Sequence, residues 1–105
     1  MIKTLLMVPL TDNQGQPFSR AHWIRLGEQM TQFSGYSVQE NVEGVWVDAG
    51  RVYRDRNRAY TVVLTSIRQL PAWVAVVEWA LEAFSQEAVY VEVNGAPEIV
   101  RKLPA

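Results

Sequence analysis

The chain has no cysteine, so disulfides, thiolate nucleophiles and sulfur-ligated zinc are excluded from the start. Histidine occurs once, at His22, which leaves a structural metal only carboxylates to rest on. No metal and no cofactor are therefore expected. Long apolar runs are missing too: nothing approaches the roughly 18 to 20 residues of a membrane-spanning helix. The opening MIKTLLMVPL sets Lys3 ahead of an apolar stretch, yet polar TDNQGQ follows with no small-residue cleavage site. A cytoplasmic location without membrane contact is the expectation. An excess of either charge is also lacking. Ten basic and eleven acidic side chains leave a net charge of -1 and no general pull towards nucleic acid or an acidic membrane. Phosphate-cradling glycine loops, a G-x-S-x-G elbow and metal-ligand spacings are all absent, so no motif identifies a reaction.

What is present reads as one small globular domain over residues 1–95, followed by an arm or frayed tail over 96–105. Residues 2–10 form a nearly continuous apolar run, the pattern of a strand covered on both faces, and belong at the sheet centre. Polar residues 11–16, with Gly15, read as a loop. Ser19 is placed as the N-cap of the first helix, with Phe18 before it and Trp23 within it forming a hydrophobic staple. Trp23, Leu26, Met30 and Phe33 continue one apolar stripe, and Gly35 ends it.

After a polar linker, Val45 and Val47 alternate with Trp46 and Asp48 as a strand, and Asp48-Ala49-Gly50 reads as a tight hairpin turn. The returning strand runs from Arg51 through Thr65, with a bend or bulge expected in the charged stretch 54–58. A second register places the turn at Asp55 to Asn57 and the bulge at Ala49-Gly50; the alternation fits either. Pro71 suits the first turn of a second helix reaching to about Ser85, with Trp73, Val76, Val77, Ala80 and Phe84 as its inner stripe. The segment EAVYVEVN alternates as a last strand, ended by Asn94-Gly95.

This order predicts an α+β, ferredoxin-like βαββαβ fold: a four-stranded antiparallel sheet with both helices on one face. The other face would be open. On the second helix Val74, Trp79 and Leu81 fall outside the inner stripe, and only Glu78 and Glu82 mark a wet side. So much apolar surface calls for cover from a second chain, and a homodimer using Val74, Trp79 and Leu81 is the expectation.

The segment Gly44-Val45-Trp46-Val47-Asp48-Ala49-Gly50-Arg51-Val52-Tyr53-Arg54-Asp55 is the most distinctive in the chain. Together with Trp23, Phe33-Ser34-Gly35-Tyr36 and Phe84-Ser85-Gln86-Glu87, it resembles a family of small uncharacterised bacterial ferredoxin-like proteins. That family carries a helix tryptophan, an FGG-aromatic turn, a G-x-W-x-D-x-G-x-V-x-x-D hairpin and an F-x-Q-E start to a strand. The likeness runs from about Trp23 to Val93, with Ser34 and Ser85 standing where the family pattern has glycine. It implies the fold and candidate positions. It implies no activity.

Asp48 and Asp55 could act as a paired acid and base, with Tyr53 as proton donor and Arg51 or Arg54 holding an anion. Against this, Asp48 also suits a hairpin turn and Asp55 a bend or an arginine pair. Trp46 lines a cleft or fills space under the hairpin. His22, in the first helical turn, is a candidate base or a solvent-facing residue, and Gln86 and Glu87 bind a ligand or simply begin a strand. Arg51, Arg54, Arg56 and Arg58 offer phosphate contacts, but Asp55 dilutes their charge and the stacking aromatics of an RNA-binding sheet are missing. Three readings follow: a homo-oligomeric binding or assembly module meeting a small molecule or a protein, a small dimeric enzyme of the isomerase or cofactor-free oxygenase type, and a nucleic-acid binder. The first rests on excess apolar surface and is preferred; the second rests on fold analogy, a poor guide to chemistry.

Overall fold

The apolar opening run becomes β1 (Ile2–Pro9), the middle strand of a five-stranded antiparallel sheet, in a computed structural model that describes residues 1–103. The remaining elements are α1 (Arg20–Met30), β2 (Tyr36–Asp48), β3 (Arg51–Leu64), α2 (Leu70–Ala83), β4 (Ala88–Val93) and β5 (Ala96–Arg101). Their order across the sheet is β2-β3-β1-β4-β5. The first four strands in that order are the ferredoxin-like arrangement.

Alternation decides which side of the sheet is packed. Thr4, Leu6 and Val8 of β1 are buried and share a face with their partners Tyr60 and Val62 of β3 and Val91 of β4. Leu26 and Met30 of α1 join Trp73, Val76, Val77, Ala80 and Leu81 of α2 in the same core, so both helices cover that one face. Thr4 is tolerated there because its hydroxyl donates to the Val62 carbonyl at 2.8 Å. The staple forms as expected, with Phe18 edge-on to Trp23 at 6.2 Å between centroids. Ser19 occupies the cap position, but its hydroxyl meets the His22 ring instead of a backbone N–H.

Four expectations need correction. The sheet has five strands where four were expected: Asn94 (φ 50) and Gly95 (φ 79) form a hairpin turn, and Ala96–Arg101 returns along all of β4. Pro104 and Ala105 of the expected tail lie outside the described residues. The polar linker before Val45 is itself strand, because β2 is an edge and an edge strand needs no apolar alternation. β3 is unbroken, and the irregularity sits opposite it, between Gln39 and Val42, with Asn41 at φ 60. Helix α1 stops at Met30, short of Gly35, where the Thr31 hydroxyl and the Gln32 amide take up the carbonyls of Glu28 and Gln29. The two-residue turn at Ala49 (φ 49) and Gly50 (φ 77) selects the first of the two hairpin registers.

Helix α2 ends in a Schellman motif. The Gln86 N–H donates to the Leu81 carbonyl at 2.9 Å and the Ser85 N–H to that of Glu82 at 3.1 Å. Ser85 takes the left-handed position with φ 50, where a side chain costs about 1 to 2 kcal/mol. Ser85→Gly should therefore raise stability, by roughly 0.5 to 1 kcal/mol after the extra freedom of the unfolded glycine is subtracted. A urea melt with an unchanged or lowered midpoint would contradict this.

Candidate functional site

β1 ends at Pro9, opposite Asn57, so beyond that pair β2 and β3 continue as a ribbon without a third strand. In a flat sheet Trp46 near the ribbon tip would stand more than roughly 20 Å from Tyr90 of β4, given strands about 4.8 Å apart and about 3.3 Å per residue. Their rings lie 6.2 Å apart. The ribbon therefore curls back across the face that the helices leave free, and the Gln39–Val42 bulge is where β2 gains the extra twist. Asn57 and Ala59 are consequently buried, at 4% and 7% exposure, although they point away from the helices. The free face expected for a monomer is thus partly covered by the chain's own hairpin.

A chain of contacts crosses this curled face. The Trp46 indole N–H donates to Asp55 Oδ2 at 3.2 Å, and Asn57 Nδ2 donates to Asp55 Oδ1 at 3.0 Å and to the Val42 carbonyl at 3.4 Å. Trp46 meets Tyr90, whose phenol donates to Glu92 Oε2 at 2.9 Å. That bond is the main reason the Tyr90 phenol is held above its ordinary range, with desolvation and the Glu92 charge acting the same way. Gly44 faces Asp55 across the ladder, and a Cβ there would overlap Asp55 Oδ1 and sit 3.1 Å from Asn57 Nδ2. The six fixed positions of the hairpin motif thus have visible structural duties: Gly44 makes room for Asp55, Trp46 and Asp55 bond, Asp48 and Gly50 flank the turn, and Val52 faces Val47.

Asp48 and Asp55 are not brought together. Both lie on the curled face, but Asp48 is four residues beyond the partner of Asp55 along β2, a separation of roughly 13 Å. Tyr53 stands between them, opposite Trp46, with the Arg51 guanidinium 5.5 Å from its ring centroid. Arg54 and Arg56 share Glu43, at 2.9 and 3.4 Å, and Arg58 pairs with Glu40 at 3.1 Å. Arg58 points to the helix side, where it stacks on Trp23 at 4.4 Å. The arginine row is therefore split between two faces and largely neutralised. Beside it Tyr60 is raised by burial, against the opposing hydrogen bond and charge of Arg58.

The other candidates lie elsewhere. The His22 ring sits 5.3 Å from both Phe18 and Phe84, and its Nδ1 is 2.8 Å from the Ser19 hydroxyl. Gln86 is buried, with its amide donating to the Phe84 carbonyl at 2.9 Å, and Glu87 is exposed, its backbone carbonyl accepting from Lys102. Leu81, at 3% exposure, belongs to the chain's own core; Trp79 is half-buried against Phe84, and Val74 is exposed. Reasoning from the sequence missed Asn57, Tyr90 and Glu92. Only the alternation of β4, which puts Tyr90 and Glu92 on one face, pointed to the last two.

Among solved structures the fold is similar to a phage SAM lyase. In its apo state that enzyme aligns with a TM-score of 0.66 at 14% identity over 99% of this chain and 91% of that one. In complex with S-methyl-5'-thioadenosine it aligns with 0.65 at 13%, over 95% and 88%. The divalent cation tolerance protein CutA1 of Thermus thermophilus aligns with 0.54 at 16%, over 100% and 84%. No protein-family model and no curated protein matches the chain. At these identities what is shared is the fold.

Proposed function

We propose that the chain is a small homo-oligomeric binding module, in which the convex side of the curled hairpin meets a second copy and the concave side meets a ligand. The observation that carries the assembly is the ribbon itself. Val45, Val47 and Val52 share its convex side at 52%, 72% and 58% exposure, and a two-stranded ribbon is marginal in water without cover. Charge favours a like partner. Residues 42–57 carry Glu43, Asp48 and Asp55 against Arg51, Arg54 and Arg56, a balance that suits a self-complementary contact. A lesser patch, Ile67 with Val74 at the start of α2, offers a second contact. It keeps Val74 of the three helix positions expected at an interface.

Light scattering at micromolar concentration tests the assembly. The wild type should weigh a multiple of 11.9 kDa, and Val47→Asp should weigh one chain with an unchanged circular dichroism spectrum. A wild type that runs as a single chain overturns it. The phage SAM lyase likeness supplies a reason to include S-methyl-5'-thioadenosine among ligands screened against the concave side. The paired acid and base of the enzyme reading has no such support, given the separation of Asp48 from Asp55.

A further inference from the structure

We infer that the concave side of the hairpin binds an organic cation with an apolar body, a quaternary ammonium or sulfonium group. The inference deepens the binding-face reading and rests on it, but is independent of assembly. Tyr53 and Trp46 face each other across β2 and β3, and Tyr90 closes on Trp46 from β4, so three aromatic rings share one side. An aromatic face carries negative potential and attracts a cation most when that cation is weakly hydrated. This row already holds one charge of that kind, the Arg51 guanidinium over Tyr53.

Two carboxylates flank the rings. Asp55 and Glu92 make no ion pair among the described residues, whereas Glu40, Glu43 and Glu82 all do. Each of the two accepts a hydrogen bond from an aromatic group of the row itself, the Trp46 N–H or the Tyr90 phenol. A carboxylate has acceptor capacity beyond one such bond, so charge remains for a ligand. A groove of about 220 Å³ lined by Lys3, Leu5, Thr61 and Glu92 adjoins the row and gives an apolar body somewhere to lie. An anion would be repelled by the two carboxylates. A bare metal ion is poorly served, since no group of three His, Cys, Asp or Glu converges among the described residues.

The test is an NMR titration of the full chain with choline, with trimethylsulfonium, and with the neutral isostere of choline in which carbon replaces nitrogen. Both cations should shift the Trp46 indole N–H with saturation, and the isostere should bind about tenfold or more weakly, the discrimination expected of a partly desolvated cation–π contact. Glu92→Gln, a surface change that leaves the core intact, should weaken both cations and leave the isostere unmoved. If the isostere binds as well as choline, the concave side remains a binding face and the cationic class is wrong. If none of the three moves the Trp46 signal while the protein stays folded, both the class and the binding face are overturned.

Discussion

Ending the chain after Asn94 is expected to remove most of its stability, although the lost segment touches no candidate ligand residue beyond the Glu92 groove. β5 pairs with β4 from Ala88↔Arg101 to Val93↔Ala96, and its Val100 lies on the helix side, opposite Val89. The end of this strand and α2 come together, with Val100, Arg101 and Lys102 set against Leu81 and Glu82. Lys102 adds two ties, its N–H to the Glu87 carbonyl at 2.9 Å and its ammonium to Glu82 at 3.2 Å. Without β5, Leu81 and Val89 would face water, at about 1.5 to 3 kcal/mol for each side chain re-exposed. β4 would become a bare edge. Against a whole-domain stability of roughly 5 to 15 kcal/mol, that is enough to unfold or aggregate the remainder. Thermal melting by circular dichroism measures it, and a truncated protein that melts within a few degrees of the parent would show β5 to be dispensable.

The same strand shows what the residues disclosed and what they concealed. Elements with a one-sided burial requirement were legible: β1, the stripe of α2, the staple at Phe18 and Trp23, and the turn at Ala49-Gly50 all follow from period or turn chemistry. β5 hid because APEIVR sits at an edge, where only Val100 reaches the core and no alternation is enforced. Asn94-Gly95 was nevertheless a strong hairpin signal, and the mistake was to treat it as an ending. Missing β5 had a consequence further along: Leu81 was assigned to a partner chain because the chain's own cover for it had been set aside as a tail.

The curled face was legible only in part, for a different reason. Trp46 and Asp55 stood out by their spacing within one hairpin, a local property. Tyr90 and Glu92 join them only because the ribbon bends, and that bend depends on Asn41 adopting φ 60 beside Glu40 and Glu43. Asparagine tolerates that conformation better than most residues, yet nothing in the pattern QENVEG separates a bulge from a loop. Long-range contacts made by a bend cannot be read from periodicity, since periodicity reports which side of an element is buried and not where the element goes.

Gly44→Ala tests whether that curled face is built as described, because its sign runs against the general rule. Replacing a glycine inside a strand by alanine ordinarily stabilises, by about 0.5 to 1 kcal/mol, through reduced freedom of the unfolded chain. At Gly44 the added methyl would occupy the place of Asp55 Oδ1. The carboxylate must then move, giving up the bonds from Trp46 and Asn57, and Asn57 is buried with few alternatives. Leaving such a buried amide unsatisfied costs about 1 to 3 kcal/mol, which exceeds the entropic gain, so net destabilisation is expected. The Trp46 indole N–H resonance should shift at the same time. Asp55→Ala alone should also destabilise, and adding it to Gly44→Ala should cost less than the two singles together, because the overlap is gone once the carboxylate is removed. Stabilisation by Gly44→Ala, or strict additivity of the pair, would mean that Asp55 does not rest on Gly44, and the contact chain from Asn57 to Glu92 would lose its anchor.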